Sequence, residues 1–238
     1  MGSRAEKSPW LAEGEDKRAF VRGMFSDIAP TYDLLNSLMS FRLHHRWRAL
    51  AVRSLGLQAG DAALDVCTGT GDFLPQLREA VGDSGRVVGL DFARPMLDRA
   101  RTKAKAGLCL GDACTLPFPN GAFRAVTVGW GLRNVPSVPS ALAEAVRVLA
   151  PGGTFATVDM ARPRGLTGSV SERVFHTVVP MLGRLFGKTD AYTYLPKSTQ
   201  VFLDPDQMDE TLRSAGFSDV RHKRLFFGNI CVHWGRKP

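Results

Sequence analysis

The stretch LDVCTGTGDF, residues 64–73, restricts the fold more than any other part of the chain. A short apolar run carrying one acid reads as a buried strand. It ends in two glycines separated by a threonine, a turn that can bend tightly and leave its backbone open to a ligand. The pattern after it repeats strand and helix. AALDVC (62–67), RVVGLD (86–91), GLCLGD (107–112), AVTVGW (125–130) and GTFATVDM (153–160) read as strands. FLPQLREAV (73–81), PMLDRARTKA (95–104) and ALAEAVRVL (141–149) read as helices between them, with Pro75 and Pro95 in first turns. Such alternation implies right-handed crossovers and a parallel sheet. A helix near DQMDETLRSAG follows, then two strand-like runs near 218–227 and 229–234. So short a link makes that last pair antiparallel. The expectation is an α/β fold with a mostly parallel, Rossmann-like seven-stranded sheet and an antiparallel C-terminal hairpin.

Residues 1–18 are polar and read as a flexible, frayed N-terminus; 19–238 read as a single domain. Within it, 19–60 form an N-terminal helical region, with Phe20, Met24 and Phe25, then Leu34, Leu35, Leu38 and Met39, spaced three and four apart. A helical insertion over 165–200, including VFHTVVPMLGRLFG, is expected to cover a substrate pocket.

The 238 residues are 44% hydrophobic, enough for one full core, and no run approaches eighteen apolar residues. The N-terminus has no secretory pattern, and Glu6 stands where a myristoylation motif needs Ser or Thr. Cys67, Cys109, Cys114 and Cys231 form no C-x-x-C pair, and no histidine is spaced in sequence to complete a zinc site. Reduced thiols in a cytoplasmic protein without a metal are expected. The net charge of +8 is uneven. No acid occurs from Leu34 to Gly60, where Arg42, Arg46, Arg48 and Arg53 cluster with His44 and His45, and none after Asp219. Such patches suit an anionic membrane surface or nucleic acid, or are simply a solvated basic face.

In a doubly wound sheet, ligands sit off the carboxyl ends of the strands. TGTGD lies there, and so does Asp91, twenty residues beyond Gly71, the offset at which a carboxylate meets ribose hydroxyls. Asp112, at the end of the third strand, is placed to reach an adenine edge. A dinucleotide fingerprint would need a third glycine where Leu74 stands, and Asp65 is atypical of it. The set of acid, turn, acid and acid at successive strand ends resembles the class I S-adenosylmethionine-dependent methyltransferases. That resemblance implies S-adenosyl-L-methionine as methyl donor.

A closer resemblance lies elsewhere. YDLLNSLMSFRLHHRW (32–47) is similar to the signature of the ubiquinone/menaquinone biosynthesis C-methyltransferases (UbiE/MenG), with Tyr32, Asp33, Asn36, Ser40, His44 and Trp47 in place. RVLAPGGTFATVDMARP (147–163) resembles the second signature through Arg147, Val148, Pro151, Gly152 and Gly153, and GWGLRNVP (129–136) a further block. Leu35, Ala150 and Asp159 depart from the usual Met, Lys and Glu. The resemblance spans roughly residues 20–236. It implies cofactor contacts at Asp65, Gly69, Thr70 and Gly71 of the turn, at Asp91, and at Asp112–Ala113. A serine that contacts the cofactor in some relatives is replaced by Gly129.

The reaction so implied moves a methyl to a ring carbon of a prenylated hydroquinone, most closely demethylmenaquinol to menaquinol, with the ubiquinone-type ring as alternative. An oxidised quinone carbon is electrophilic, so only the reduced ring can attack, most readily once a hydroxyl that ionises near 10 has lost its proton. Asp72 is expected as the base, Arg133 as stabiliser of the oxyanion and Asn134 as the group that orients it. The competing readings are an N-cap of helix 73–81 for Asp72 and a salt bridge to a carboxylate of the helical region for Arg133. His44 and His45 read as packing or surface residues, and Tyr192, Tyr194 and Trp130 as core or pocket wall.

An RNA methyltransferase is opposed by the lack of an Asn-Pro-Pro-Tyr motif, since Val135 and Pro136 follow Asn134, and no nucleic-acid partner is expected. A NAD-dependent oxidoreductase is opposed by Leu74. A non-catalytic cofactor-binding partner of a quinone-pathway complex stays open, as does a homodimer. A prenylated quinol stays in the bilayer, so peripheral docking at the inner face of the cytoplasmic membrane is expected. The four arginines, together with the apolar segment Val174–Phe186, would supply it.

Overall fold

The computed structural model describes residues 14–162, 177, 194 and 197–238. Seven strands form one sheet: β1 Ala62–Val66, β2 Arg86–Asp91, β3 Gly107–Leu110, β4 Phe123–Gly129, β5 Leu149–Met160, β6 Ser218–Leu225 and β7 Ile230–Arg236. Their order is β3-β2-β1-β4-β5-β7-β6. The first five run parallel, and β7 is antiparallel to both β5 and β6. The order reverses between β1 and β4, which opens a crevice at their carboxyl ends.

Alternation along each strand builds two cores. Leu64, Val66, Val126, Val128 and Phe155 pack on one face against helices α6 (Val138–Val148) and α7 (Pro205–Ser214). Ala63, Ala125, Ala156, Val158 and Val232 face the other way, against α3 (His44–Ser54) and α4 (Leu74–Val81). Alanines on that face let the helices approach closely. Helix α7 begins with a full capping box between Asp204 and Gln207. The edge strand β6 turns Asp219, Arg221 and Lys223 to solvent, a charged edge that resists strand addition.

Three expectations need adjustment. Helix α1 (Gly14–Ile28) starts within the stretch read as frayed; residues 1–13 lie outside the described part. β3 ends at Leu110, so Asp112 stands beyond the strand and pairs with Thr115 in an isolated bridge. β5 starts at Leu149 rather than at residue 153. The insertion at 165–200 and the Val174–Phe186 segment fall almost wholly outside the described residues, as does Tyr192, although 197–201 are helical.

Candidate active site

The turn after β1 is held by hydrogen bonds from two directions. Gly71 N donates to Thr68 O at 2.9 Å, and Gly69 N donates to Asp91 Oδ2 at 2.8 Å. Asp91 also accepts from Ala93 N through Oδ1 at 2.9 Å. Burial raises its pKa to about 6 in spite of these amides. Each carboxylate oxygen keeps a lone pair for a further donor. Cys67 and Trp130, the residues after β1 and β4, both adopt φ of +55° although neither is glycine. That conformation costs about 1–2 kcal/mol each, and such strain gathers where a ligand is gripped.

A cleft of about 640 Å³, its solvent-open mouth included, lies there, lined among others by Gly69, Asp91, Asp112, Ala113, Trp130 and Asn134. The two glycines of the turn have different tasks. A Cβ on Gly69 would meet nothing nearer than Tyr32 Cε1 at 4.0 Å, so its missing side chain leaves room in the cleft. A Cβ on Gly71 would sit 2.9 Å from Ala100 Cβ, so that glycine lets helix α5 (Arg94–Ala100) pack on the turn. Gly129 also lines the cleft, and a Cβ there would lie 2.7 Å from Phe73 Cε2. The Phe73 ring thus takes the space next to Gly129 that a serine would need.

Two of the residues expected to contact the ligand, Asp65 and Thr70, lie behind the turn and not on the cleft wall. Asp65 is 1% exposed and does not line the cleft. Its carboxylate accepts from Thr68 Oγ1 at 2.6 Å and Thr127 Oγ1 at 2.7 Å, and burial raises its pKa to about 7. It braces the turn from behind. Thr70 is likewise buried, donating to Asp33 Oδ1 at 2.5 Å and accepting from Lys103 Nζ at 3.1 Å.

Asp72 belongs to the same buried network. Arg48 Nη2 lies 3.0 Å from its Oδ2, and Lys103 Nζ binds its Oδ1. Burial disfavours the charge, but Arg48 and Lys103 outweigh it and hold the carboxyl below the usual range. Asp72 does not line the cleft, and helix α4 takes no side-chain cap from it. Arg48 also stacks 4.5 Å from the Trp130 ring centroid and donates to His44 Nδ1 at 2.6 Å. A guanidinium can only donate, so Nδ1 carries no proton and His44 places its N–H on Nε2, 3.4 Å from Ser37 Oγ. Burial and Arg48 lower the His44 pKa to about 4. The signature helices α2 (Tyr32–Met39) and α3 therefore lock the glycine turn through Asp33, His44 and Arg48. Arg48 is one of the four arginines expected to dock on a membrane, yet it is 4% exposed and cannot do so.

Arg133 pairs with Asp159 of β5, both nearly fully buried, and donates to Trp130 O at 3.1 Å. It is a salt bridge, as in the competing reading, but the partner lies on β5 and not in the N-terminal helical region. Asn134 does line the cleft, donating Nδ2 to Trp130 O at 2.9 Å and accepting from Tyr194 Oη through Oδ1 at 3.1 Å. Of the three residues expected to do chemistry, only Asn134 faces the ligand space. Arg18 of α1 lines the cleft and reaches Asp112 Oδ2 at 2.6 Å, a contact hidden in the sequence because Arg18 lies ninety-four residues away in a polar segment.

A glycine turn clasped by a strand-end carboxylate, at the switch point of a seven-stranded sheet of this order, defines a class I methyltransferase-type protein. Solved structures share the architecture. One is a SAM-dependent methyltransferase from Thermotoga maritima, 19% identical, with a TM-score of 0.66 over 92% of this chain and all of that one. Another is a phosphoethanolamine N-methyltransferase from Haemonchus contortus in complex with S-adenosyl-L-methionine, 17% identical, with a TM-score of 0.58 over 80% of this chain and 52% of that one. The chain belongs to the ubiE/COQ5 methyltransferase family, whose model matches residues 12–237. It is similar to the demethylmenaquinone methyltransferases of Thermus thermophilus, 46% identical over 90% of this chain and all of that one, and of Listeria welshimeri, 39% identical over 94% and 98%.

Proposed function

We propose that the chain transfers a methyl group from S-adenosyl-L-methionine to a ring carbon of demethylmenaquinol, giving menaquinol and S-adenosyl-L-homocysteine, with the displaced ring proton passing to water. The observation that carries this reading is the 46% identity to a demethylmenaquinone methyltransferase along that protein's whole length, in a chain whose cleft is lined by Asp91 and Asp112. The residues fit the donor. Gly69 leaves space where a nucleoside would lie, Asp91 keeps lone pairs for two ribose hydroxyls, and Asp112 with Ala113 borders the place for adenine. Bound there, the donor supplies an electrophilic methyl on a positively charged sulfur.

The chain's own contribution is positioning in a dry pocket. Asn134 meets the quinol hydroxyl, exchanging its Tyr194 contact for the substrate. Arg133 acts through its pairing with Asp159, fixing the 131–134 turn that carries Asn134. Asp72, held ionised between Arg48 and Lys103, positions the glycine turn rather than taking a proton. Holding the reacting carbon against the methyl supplies a large part of the acceleration.

Substrate access is proposed at an anionic membrane surface on the cytoplasmic side. Among the described residues no helix is long and apolar enough to cross a membrane. Leu34, Leu38 and Phe41, spaced four and three apart, are exposed by 60%, 46% and 76%. Arg42, next to Phe41, and Arg46 and Arg53 further along α3 are exposed. Exposed apolar side chains followed by exposed cations in the next helix suit lipid tails under anionic headgroups.

The test is turnover of a short-tailed demethylmenaquinol, kept reduced, with the gain of one methyl followed by mass spectrometry. Methylation of the naphthoquinol is expected. Activity confined to benzoquinols would shift the substrate to the ubiquinone ring, and cofactor binding without any turnover would leave a non-catalytic partner.

A further inference from the structure

Away from the cleft, three donors converge from three elements. His222 of β6 and His233 of β7 are direct cross-strand partners, so their rings share one face, with centroids 5.3 Å apart. Asp209 of α7 reaches them from the helix layer. Its Oδ2 lies 2.9 Å from His222 Nδ1 and its Oδ1 3.9 Å from His233 Nε2. All three ligand atoms lie within 4.8 Å of one another. Bonds of about 2.0–2.1 Å to nitrogen and oxygen in a tetrahedral site would bring such atoms to roughly 3.3 Å apart, a contraction within reach of side-chain rotation.

Two further observations point to a ligand. Asp209 Oδ1 is buried without a hydrogen-bond partner among the described residues, an arrangement that ordinary packing avoids. Cys231, two residues from His233 on the same face of β7, places Sγ 3.7 Å from His233 Nε2, a fourth donor beside the three. The His233 side chain is 5% exposed. In the metal-free arrangement His233 Nε2–H donates to Pro205 O at 3.2 Å, so ligation requires that proton to move to Nδ1. The His222 side chain, 22% exposed, provides the entry path.

We propose that Asp209, His222 and His233 form a divalent metal site, with Cys231 or water completing a tetrahedron. Two imidazoles and a carboxylate suit zinc. The ion would clamp α7 onto the β6–β7 hairpin and take no part in methyl transfer.

The experiment uses the full chain without a histidine tag, freed of metal by chelation, and titrated with zinc chloride by calorimetry and with cobalt chloride by visible spectroscopy. One equivalent of zinc is expected, with a higher melting temperature. Cobalt should give the intense absorption of a tetrahedral site. His222→Gln should weaken zinc at least tenfold and abolish the cobalt bands, with S-adenosyl-L-methionine affinity unchanged. Absence of saturable zinc binding overturns the proposal. So does a His222→Gln protein that binds zinc as the wild type does. If that variant fails to fold, the wild-type cobalt spectrum decides: weak octahedral bands reject the site.

Discussion

Arg48 Nη2 stands 3.0 Å from Asp72 Oδ2 in the interior, joining helix α3 to the residue that follows the glycine turn. Both side chains are less than a tenth exposed. Removing one partner of a buried pair leaves the other uncompensated and typically costs about 3–5 kcal/mol. Arg48→Met should therefore destabilise by about that amount in urea unfolding. Asp72→Asn should cost less if Arg48 remains satisfied by His44 and the Trp130 ring. Wild-type stability in Arg48→Met would disprove the pairing.

Asp91→Ala orphans the Gly69 amide and, in the proposed binding mode, removes the acceptor for two ribose hydroxyls. Hydrogen bonds to a charged group contribute about 1.5–3 kcal/mol each. Calorimetry with S-adenosyl-L-methionine should show affinity reduced by more than about tenfold. An unchanged dissociation constant would place the nucleoside away from β2.

Gly69→Ala and Gly71→Ala should separate by readout. Gly71 has φ of +87° and a crowded Cβ position against Ala100. Its replacement combines left-handed strain with overpacking, about 2–4 kcal/mol in total. Gly69, with φ of +56° and open space, should lose only about 1–2 kcal/mol of stability. Its new methyl would enter the cleft and weaken cofactor binding. Equal melting temperatures for the two variants would contradict the assigned roles.

Asp65 gives a pH dependence with a definite sign. Its pKa rises from 3.8 to about 7 on folding, because burial outweighs the two threonine hydroxyls. Between those values the unfolded chain has released the proton that the folded chain keeps, so the group's contribution is present below pH 4 and lost as pH rises to 7. The stability of wild type minus that of Asp65→Asn should fall across this window and level off above it. A difference independent of pH would mean that Asp65 is not the buried acid described.

Vesicle co-sedimentation checks the membrane face. Replacing Leu34, Leu38 and Phe41 by serine should abolish binding to anionic vesicles, and changing Arg42, Arg46 and Arg53 to Gln should remove most of its salt sensitivity. Turnover of a tail-less quinol should survive both changes. Sedimentation like wild type would leave the excess charge as a solvated face.

Much of this protein was legible in one dimension, because local periodicity carries it. Alternating apolar runs and helical spacing mark the seven strands and the helices between them. The 64–73 stretch marks the end of β1, and Asp91 falls at the end of β2 as its offset implied. What could not be read is which groups meet across long separations. Asp65 and Asp91 are both acids near strand ends, yet one is buried in the core and the other lines the cleft: Asp65 pairs with Gly89, so Asp91 lies on the same face two residues nearer the carboxyl ends, where the crevice opens. Arg48 resembles its exposed neighbours in sequence, and only the packing of α3 against the turn buries it. The same holds for Asp209, His222 and His233, whose spacing matches no metal motif. They converge because the β6–β7 pairing fixes the two histidines side by side and α7 lies across them. Periodicity is a property of neighbours along the chain. Charge pairing and ligand geometry depend on distances that the sheet order alone establishes.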